Sequence, residues 1–347
     1  MMENLGISLY LSSGEKTNQE IINKAKKAHM KYAFTSLHIP EESIEDYSAA
    51  TLKLMQDCRD ADLSLIIDVG PRTIKKLGLE SLQDLKKYNI THIRIDYGFA
   101  IDEIIKLTDD FNVVLNASTL TEDEMDYMIK NKVDTSKISA CHNFYPKPLT
   151  ALSIDNVRAT NDLLHKYNIK SIGFVSGDLT QRGPLNEGLP TVEEHRHMDV
   201  LRQILELKQL GKCDMIIIGD IDISEDSWRK IKELQDNYVT LKATIDNEYR
   251  FICNKIHHDR VDYSMYVIRS VESREYSNPA VYKPSPRNFG SISMSNSLYL
   301  RYEGELEIAR RDLEAEPKVN IIGQINEDYL QYLPLINTGM GFIIKED

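Results

Sequence analysis

Leu63-Ser-Leu-Ile-Ile-Asp-Val69 predicts a buried β-strand, residues 79–88 predict a helix, and His92-Ile-Arg-Ile-Asp-Tyr97 predicts the next strand. Both strand segments are mostly apolar, as expected when helices cover the two faces of a parallel sheet. The same alternation extends in both directions along the chain. Further strands are predicted at residues 5–11, 32–39, 112–117, 138–142, 171–176 and 214–219, with helices between them and after the last one. The helix before the last strand is predicted to run from about residue 192 to residue 210.

This pattern amounts to about eight βα units over about 235 residues, which is the count and length of a TIM barrel. A doubly wound open sheet is the competing arrangement, but eight units in unbroken alternation favour the barrel. We therefore predict an α/β protein whose residues 1–238 form a (β/α)8 barrel.

After Asn237 the pattern changes to short strands separated by turn-rich segments. Strands are predicted at residues 239–245, 261–268, 292–301 and 319–325, and one helix at residues 305–313. Such a pattern is typical of a small barrel or sandwich, so we predict a β-rich second domain at residues 239–347. No low-complexity linker separates the two predicted domains.

Composition excludes several functional classes. The 347 residues carry a net charge of −12 with no basic stripe, which argues against a nucleic-acid binder but still allows an anionic small substrate. No apolar run approaches about 18 residues, which predicts no membrane span. The amino-terminal residues do not resemble a signal peptide, so we expect a cytoplasmic protein. Nothing in the sequence indicates the oligomeric state.

The sequence also lacks the common cofactor and metal motifs. It contains no P-loop, no G-x-G-x-x-G and no G-x-S-x-G stretch, and we therefore expect no cofactor. Four separated cysteines form no C-x-x-C pair, and no histidine and acid spacing at the strand ends suits a metal. We predict no metal site.

In a TIM barrel the functional site lies where the strands end, and this sequence places polar residues there. Asp68 ends the third predicted strand, and Arg94 and Asp96 lie near the end of the fourth. Asn116 ends the fifth. Each of these side chains has an alternative role as a turn former or helix cap, but the opposite strand ends are less polar.

The strongest candidates come in three groups. Arg94 and Asp96 alternate on one strand, so an inward arginine could hold an inward carboxylate ionised, or the two could be a structural ion pair. After the sixth strand, His142, Asn143 and Tyr145 could bind a polyhydroxylated ligand or satisfy backbone groups of a loop. The long Gly- and Pro-rich loop at residues 177–191 has the character of a lid or binding loop.

Several stretches together resemble a known family. They are Cys141-His-Asn-Phe-Tyr-Pro146, Gly6-Ile-Ser-Leu-Tyr10, Arg94-Ile-Asp-Tyr-Gly98, Gly188-Leu-Pro-Thr191, Ile268-Arg-Ser270 and Val319-Asn-Ile-Ile-Gly323. The sequence is similar to the bacterial 6-phospho-N-acetylmuramidases over nearly its whole length. The resemblance implies a TIM barrel followed by a cyclophilin-like β domain. It also implies a cytoplasmic enzyme of cell-wall recycling that splits N-acetylmuramic acid 6-phosphate from N-acetylglucosamine.

The chemistry of glycoside hydrolysis then predicts residue roles, since it needs a proton donor and a group that stabilises developing positive charge. We expect Asp96 to be the ionised carboxylate and Asp68 to be the first candidate for the acid, with Asp178 and Glu193 as alternatives. The substrate's 2-acetamido group could itself be the nucleophile. The predicted substrate-binding residues are Arg94, Asn116, His142, Asn143 and Tyr145 for the sugars, and Arg182, His195, Arg196, Arg269 and Arg274 for the phosphate and carboxylate.

Two other classes of function compete with this hypothesis. One is another TIM-barrel phospho-sugar enzyme, such as an isomerase or lyase, although the strand ends show no Schiff-base lysine for an aldolase. The other is a non-enzymatic carbohydrate-binding protein. A phosphorylated amino-sugar disaccharide is the predicted ligand of the favoured hypothesis.

Overall fold

A computed structural model describes residues 4–37, 47–70, 73–95, 98–276, 280–281 and 285–347, and for residues 274 and 275 it describes the backbone alone. The chain divides into two compact units, one that ends at Lys232 and one that comprises Glu233–Asp347. The first unit contains a closed barrel of eight parallel strands in sequence order. The predicted barrel is therefore confirmed.

The barrel strands are β1 (Leu5–Ser8), β2 (Tyr32–Ser36), β3 (Ser64–Val69), β4 (His92–Ile95), β5 (Asn112–Asn116), β6 (Ile138–Cys141), β7 (Lys170–Val175) and β8 (Met215–Ile218). The α-helices among the described residues of this region are α1 (Gly14–Lys27), α2 (Tyr47–Asp60), α3 (Thr73–Lys76), α4 (Ile101–Leu107), α5 (Glu122–Lys130), α6 (Ile154–Lys166), α7 (Val200–Gln209) and α8 (Glu225–Gln235). Strand β1 pairs with both β2 and β8, which closes the barrel.

Apolar side chains fill the barrel, so its interior is a packed core. The central cluster takes residues from most of the strands: Phe34, Ile66, Val114, Cys141, Ile172, Phe174 and Ile217. Because side chains alternate along a strand, the residue two positions further on shares the same inward face. Asp68 and Asn116 follow Ile66 and Val114 in this way, and they reach the carboxyl end of the barrel.

The second unit contains a seven-stranded sheet of order β10-β15-β9-β14-β12-β13-β11. Its strands are β9 (Tyr238–Ile245), β10 (Ile256–His258), β11 (Val267–Arg269), β12 (Ser291–Ser295), β13 (Leu306–Ala309), β14 (Val319–Ile325) and β15 (Gly341–Glu346). A short helix, α9 (Glu327–Leu330), follows β14. Strands β9 and β15 pair in parallel, and the other neighbours are antiparallel. The prediction of a second, mainly β region is thus confirmed.

Three predicted helices differ from the structure. Residues 305–313 contain strand β13, because Leu306 and Ile308 alternate with glutamates at a period of two. The helix predicted from residue 192 is a short 3-10 helix, Glu193–His195, followed by α7, which Asp199 caps by accepting a hydrogen bond from the Arg202 amide. Residues 79–88 form the 3-10 helix Leu82–Tyr88.

The strands of the second unit were also predicted imperfectly. The strand predicted at residues 261–268 is only Val267–Arg269, and the one predicted at residues 292–301 ends at Ser295. Strands β10 and β15 had no predicted counterpart.

Candidate active site

A buried ion pair lies at the carboxyl end of the barrel. Asp68 and Arg94 are opposite each other in the register of β3 and β4. Arg94 Nη1 donates to Asp68 Oδ1 at 2.7 Å, and each side chain is only 8% exposed. The arginine stabilises the ionised form of this carboxylate. That arrangement suits a charged catalytic group better than the proton donor that the sequence predicted for Asp68.

Asn143 extends this polar cluster. Arg94 Nη2 donates to Asn143 Oδ1 at 2.9 Å, so the asparagine joins the loop after β6 to the ion pair. Asn143 and Tyr145 are half-buried, and neither the asparagine amide nitrogen nor the tyrosine hydroxyl donates to a described residue. Asn143 and Tyr145 can therefore donate hydrogen bonds to a sugar. Asn116 lies at the end of β5, where its Oδ1 accepts the Ser118 amide at 2.9 Å.

His142 faces away from the barrel interior. Its Nε2 lies 2.8 Å from Asn161 Oδ1 on α6, and the asparagine in turn donates to the Gly211 carbonyl. Burial lowers the pKa of His142 despite the hydrogen bond with Asn161. Cys141 belongs to the central cluster, so the alternation of the strand turns His142 towards the helices. The contacts of this histidine are those of a structural residue.

Arg196 connects the loops that follow β6 and β7. Its guanidinium binds both oxygens of Glu193 at 2.7 and 2.8 Å. It also donates to four backbone carbonyls, those of Tyr145, Lys147, Glu187 and Gly188. The residue is 4% exposed. A phosphate could bind Arg196 only by displacing these acceptors.

Glu193 is held ionised. The hydrogen bonds from Arg196 and from the backbone amides of Leu149 and Ala151 outweigh the effect of burial and lower its pKa to about 2. A carboxyl group with this pKa carries no proton to donate at neutral pH. The neighbouring His195 is fully buried, with its Nε2 3.0 Å from Glu206 Oε2.

Asp178 binds the residues at the start of helix α8. Its oxygens accept hydrogen bonds from the Ser224 amide and hydroxyl at 2.7 and 2.8 Å and from the Ser227 hydroxyl at 2.7 Å. A carboxylate near a helix N-terminus is stabilised in this way. These contacts account for both carboxylate oxygens.

Arg182 is a cation at this end of the barrel whose guanidinium is available for a ligand. Its guanidinium carbon lies 4.7 Å from the ring centre of Tyr10, just beyond β1. Within the described part of the chain, the guanidinium donates no hydrogen bond and forms no ion pair within 4.0 Å. Its backbone amide donates to Asp220 at 2.9 Å. Arg182 is half-buried, so it can meet an anionic group of a ligand.

Asp220 fixes the long loop that carries Arg182. The carboxylate also accepts the amides of Gly177 and Leu189, at 2.8 and 3.1 Å. Burial raises the pKa of Asp220, although these hydrogen bonds oppose the shift. The position of Asp220 just after β8 suggests a turn former or helix cap more than a site residue, and its hydrogen bonds to three loop amides agree with that interpretation. Tyr10 is not among the predicted site residues, and its position just after β1 is the signal that could have identified it.

The remaining predicted residues are not at the described site. Asp96 and the side chain of Arg274 lie outside the described part of the chain. Arg269 belongs to the second unit, where its Nη2 contacts Asp262 Oδ2 at 2.9 Å. Among the described residues, no group of three or more His, Cys, Asp or Glu side chains could hold a metal ion.

Two family models match nearly the whole chain. They describe the N-terminal part of 6-phospho-N-acetylmuramidase, at residues 5–233, and its C-terminal part, at residues 238–345. The chain belongs to the 6-phospho-N-acetylmuramidase family. It is therefore a glycoside hydrolase, and the family name implies a phosphorylated muramic acid sugar as substrate. The resemblance seen in the sequence is confirmed.

Two solved structures are similar to this family member over almost their full lengths. A conserved protein of unknown function from Enterococcus faecalis is 28% identical, with a TM-score of 0.80 and coverage of 99% of this chain and 96% of the other. An uncharacterized B. cereus protein is 27% identical, with a TM-score of 0.77 and full coverage of both chains. No curated protein matches the chain.

One further property concerns the helices. None of those in the described residues combines the length and the apolar character needed to cross a bilayer.

Proposed function

We propose that this glycosidase cleaves the bond between N-acetylmuramic acid 6-phosphate and N-acetylglucosamine. The observation that carries the proposal is the buried Asp68–Arg94 pair at the carboxyl end of the barrel, with Asn143 bonded to it. Such a pair presents a charged carboxylate next to groups that can bind sugar hydroxyls. The family name supports the choice of a phosphorylated muramic acid substrate.

In the proposed mechanism, Asp68 stabilises the positive charge that develops at the anomeric carbon. It does so either directly or by orienting the substrate's 2-acetamido group as the nucleophile. The ion pair with Arg94 favours this role for Asp68, whereas the sequence suggested it for Asp96. We assign the proton donor to Asp96, which follows Arg94 by two positions in the sequence.

We propose that Asn116, Asn143 and Tyr145 bind the sugars, and that Arg182 binds the phosphate or the lactyl carboxylate. The absence of a hydrogen-bonded partner for the Arg182 guanidinium among the described residues supports this choice. The contacts of Asp178, Glu193, His142, His195 and Arg196 support structural roles for those residues, so the mechanism does not use them.

The substrate connects the protein to the recycling of cell-wall fragments. We propose that it acts in the cytoplasm on disaccharide that has been phosphorylated during import.

We also propose that the second unit is cyclophilin-like, as the resemblance of the sequence implies. Cell fractionation with an antibody against the protein tests the location, and superposition of an experimental structure on cyclophilins tests the second point.

One assay tests the activity directly. The enzyme is incubated with the 6-phosphorylated and the unphosphorylated disaccharide, and the released sugars are separated by chromatography and identified by mass. We expect N-acetylglucosamine from the phosphorylated substrate alone. Arg182→Ala should raise KM by about 10-fold or more, the effect of losing a hydrogen bond to a charged group. Equal cleavage of the two disaccharides would contradict the proposal.

A further inference from the structure

Glu307 of strand β13 lies between two arginines of the second unit. The apolar residues of β13 are buried on one face of the sheet, so Glu305 and Glu307 point to the other face. Glu307 is directly opposite Arg269 of the neighbouring strand β11. Arg287 places its Nη1 3.4 Å from Glu307 Oε2.

Each of the two arginines has one buried N–H group for which the described part of the chain provides no acceptor. Arg269 uses its Nη2 for Asp262, and Arg287 uses its Nη1 for Glu307. The Nε atoms of Arg269 and Arg287 are buried, and neither has a hydrogen-bond partner among the described residues. Buried donors are costly when they lack an acceptor, so two of them beside one carboxyl group indicate a ligand that accepts hydrogen bonds.

Glu307 can act as a third donor. Burial, together with the nearby charge of Glu305, raises its pKa to about 7, even though Arg287 and Arg269 oppose the shift. A large share of the molecules therefore carries a carboxyl proton at neutral pH. Three other titratable groups surround this cluster: Arg260, which binds Glu305 at 3.3 Å, Asp262, and Tyr299 of the 3-10 helix Ser297–Tyr302.

We propose that Arg269, Arg287 and Glu307 form a binding site for the phosphoryl group of a sugar phosphate or of inorganic phosphate. Three donors match the three terminal oxygens of a phosphate monoester. The three side chains are 21%, 17% and 16% exposed, so a ligand can reach their outer atoms, and it meets the buried Nε–H groups once the two guanidinium groups turn outward. Glu305 also borders a cavity of about 330 Å³ that is lined by Arg301, Tyr302 and Glu303.

This site belongs to the second unit alone, and the inference is independent of the reaction proposed for the barrel. Its test must therefore separate two places where phosphate could bind. The Arg182→Ala chain removes the proposed barrel cation and leaves the second site intact. Titration calorimetry on this full-length variant then measures binding of inorganic phosphate, N-acetylglucosamine 6-phosphate and, as a control, N-acetylglucosamine.

We expect both phosphates to bind and the unphosphorylated sugar not to bind. Adding Arg287→Gln should weaken binding at least about 10-fold, the range for a lost charged hydrogen bond. Adding Arg311→Gln should have no effect, because Arg311 is an exposed arginine of the same unit that packs on Tyr266. Tighter binding of the sugar phosphate would identify the ester as the ligand, and equal binding would identify the phosphoryl group alone.

A second variant decides the matter if Arg287→Gln does not fold. Glu307→Gln keeps a neutral donor at every pH, whereas the wild-type carboxyl ionises and repels phosphate as the pH rises through about 7. At pH 8.5 the glutamine variant should bind at least about threefold more tightly than its parent, and at pH 6 the two should agree within about twofold. Absent phosphate binding in the Arg182→Ala chain, or binding unchanged by both substitutions, would overturn the inference while leaving the proposed cleavage reaction intact.

Discussion

At the residue scale, Asp68 is the side chain on which the proposed chemistry most depends. Asp68→Asn keeps the shape and can still accept a hydrogen bond from Arg94, but it removes the charge. We expect kcat to fall at least about 100-fold, as for other single groups that stabilise charge in a transition state. Steady-state kinetics with the phosphorylated disaccharide measures this change, and thermal denaturation reports whether the variant is folded.

Asp178→Asn is the matched control for that experiment, because Asp178 binds the N-terminus of α8. Asparagine keeps only one of the two accepting oxygens, so the variant should lose about 1 kcal/mol of the free energy of unfolding, the usual value of one hydrogen bond, with little change in kcat. Near-normal kcat in a folded Asp68→Asn protein would remove Asp68 from the mechanism. The combination of low stability and full activity in Asp178→Asn would exclude Asp178 as the acid.

Glu307 makes a pH-dependent contribution to stability. Its pKa rises from 4.5 to about 7 on folding, mainly because the side chain is buried. Between these values the unfolded chain loses its proton first, so the free energy of unfolding falls as the pH rises from about 4.5 to about 7 and stays lowered above that. Glu307→Gln removes the effect. We expect the variant to gain about 1–3 kcal/mol relative to wild type on going from pH 4 to pH 8.

Urea denaturation at several pH values measures this gain. Glu314→Gln, a change at an exposed glutamate of the same unit, serves as the control and should show no comparable trend. A difference between Glu307→Gln and wild type that does not change with pH would mean that folding leaves the pKa of Glu307 at its ordinary value, which would contradict the prediction.

At the element scale, the loops after β6 and β7 are held together by one side chain. Arg196→Ala removes the ion pair with Glu193 and the contacts with four carbonyls. We expect a loss of about 2–4 kcal/mol of stability, somewhat less than for a fully buried pair because Glu193 is partly exposed. The measurement is chemical denaturation, with Arg158→Ala, which removes an exposed arginine on α6, as the matched control.

The same substitution distinguishes two roles for Arg196. Its place in the sequence suggests that Arg196 binds the phosphate, which predicts that Arg196→Ala has a higher KM and unchanged stability. The contacts of Arg196 instead predict lower stability for Arg196→Ala. In that case KM should rise only because the loosened loops displace Tyr145. A stable Arg196→Ala protein with weakened binding would restore the first interpretation.

The elements also explain which parts of the fold could be predicted. Strands such as β8 are continuous apolar runs, and their alternation with helices predicts a barrel without knowledge of any contact. The same method failed at residues 305–313, because a strand with glutamates on one face has few apolar positions to reveal its period of two. Strand β15 was not predicted, because its few apolar residues follow several turns and show no clear alternation of apolar and polar residues.

At the scale of the whole molecule, the sequence shows which residues lie at the strand ends, but it does not show which side chains they contact. The position of Asp68 at a strand end was visible, but its hydrogen bond with Arg94 spans 26 residues and depends on the register of two strands. His142 points towards α6 because side chains alternate along β6. An error of one residue in the predicted register of this strand would turn His142 to the other side. Family membership supplied the reaction class, and the contacts supplied the change in roles between Asp68 and Asp96 that we propose.

The closure of the barrel by β1 and β8 has a consequence for synthesis on the ribosome. Chains emerge with the amino end first, so Leu5–Ser8 leaves the ribosome long before Met215–Ile218, its partner on one side. Until then the nascent barrel is an open sheet with two free edges, and free edges attract other strands. The nascent chain should therefore depend most on chaperones in the period between the synthesis of β1 and the synthesis of β8.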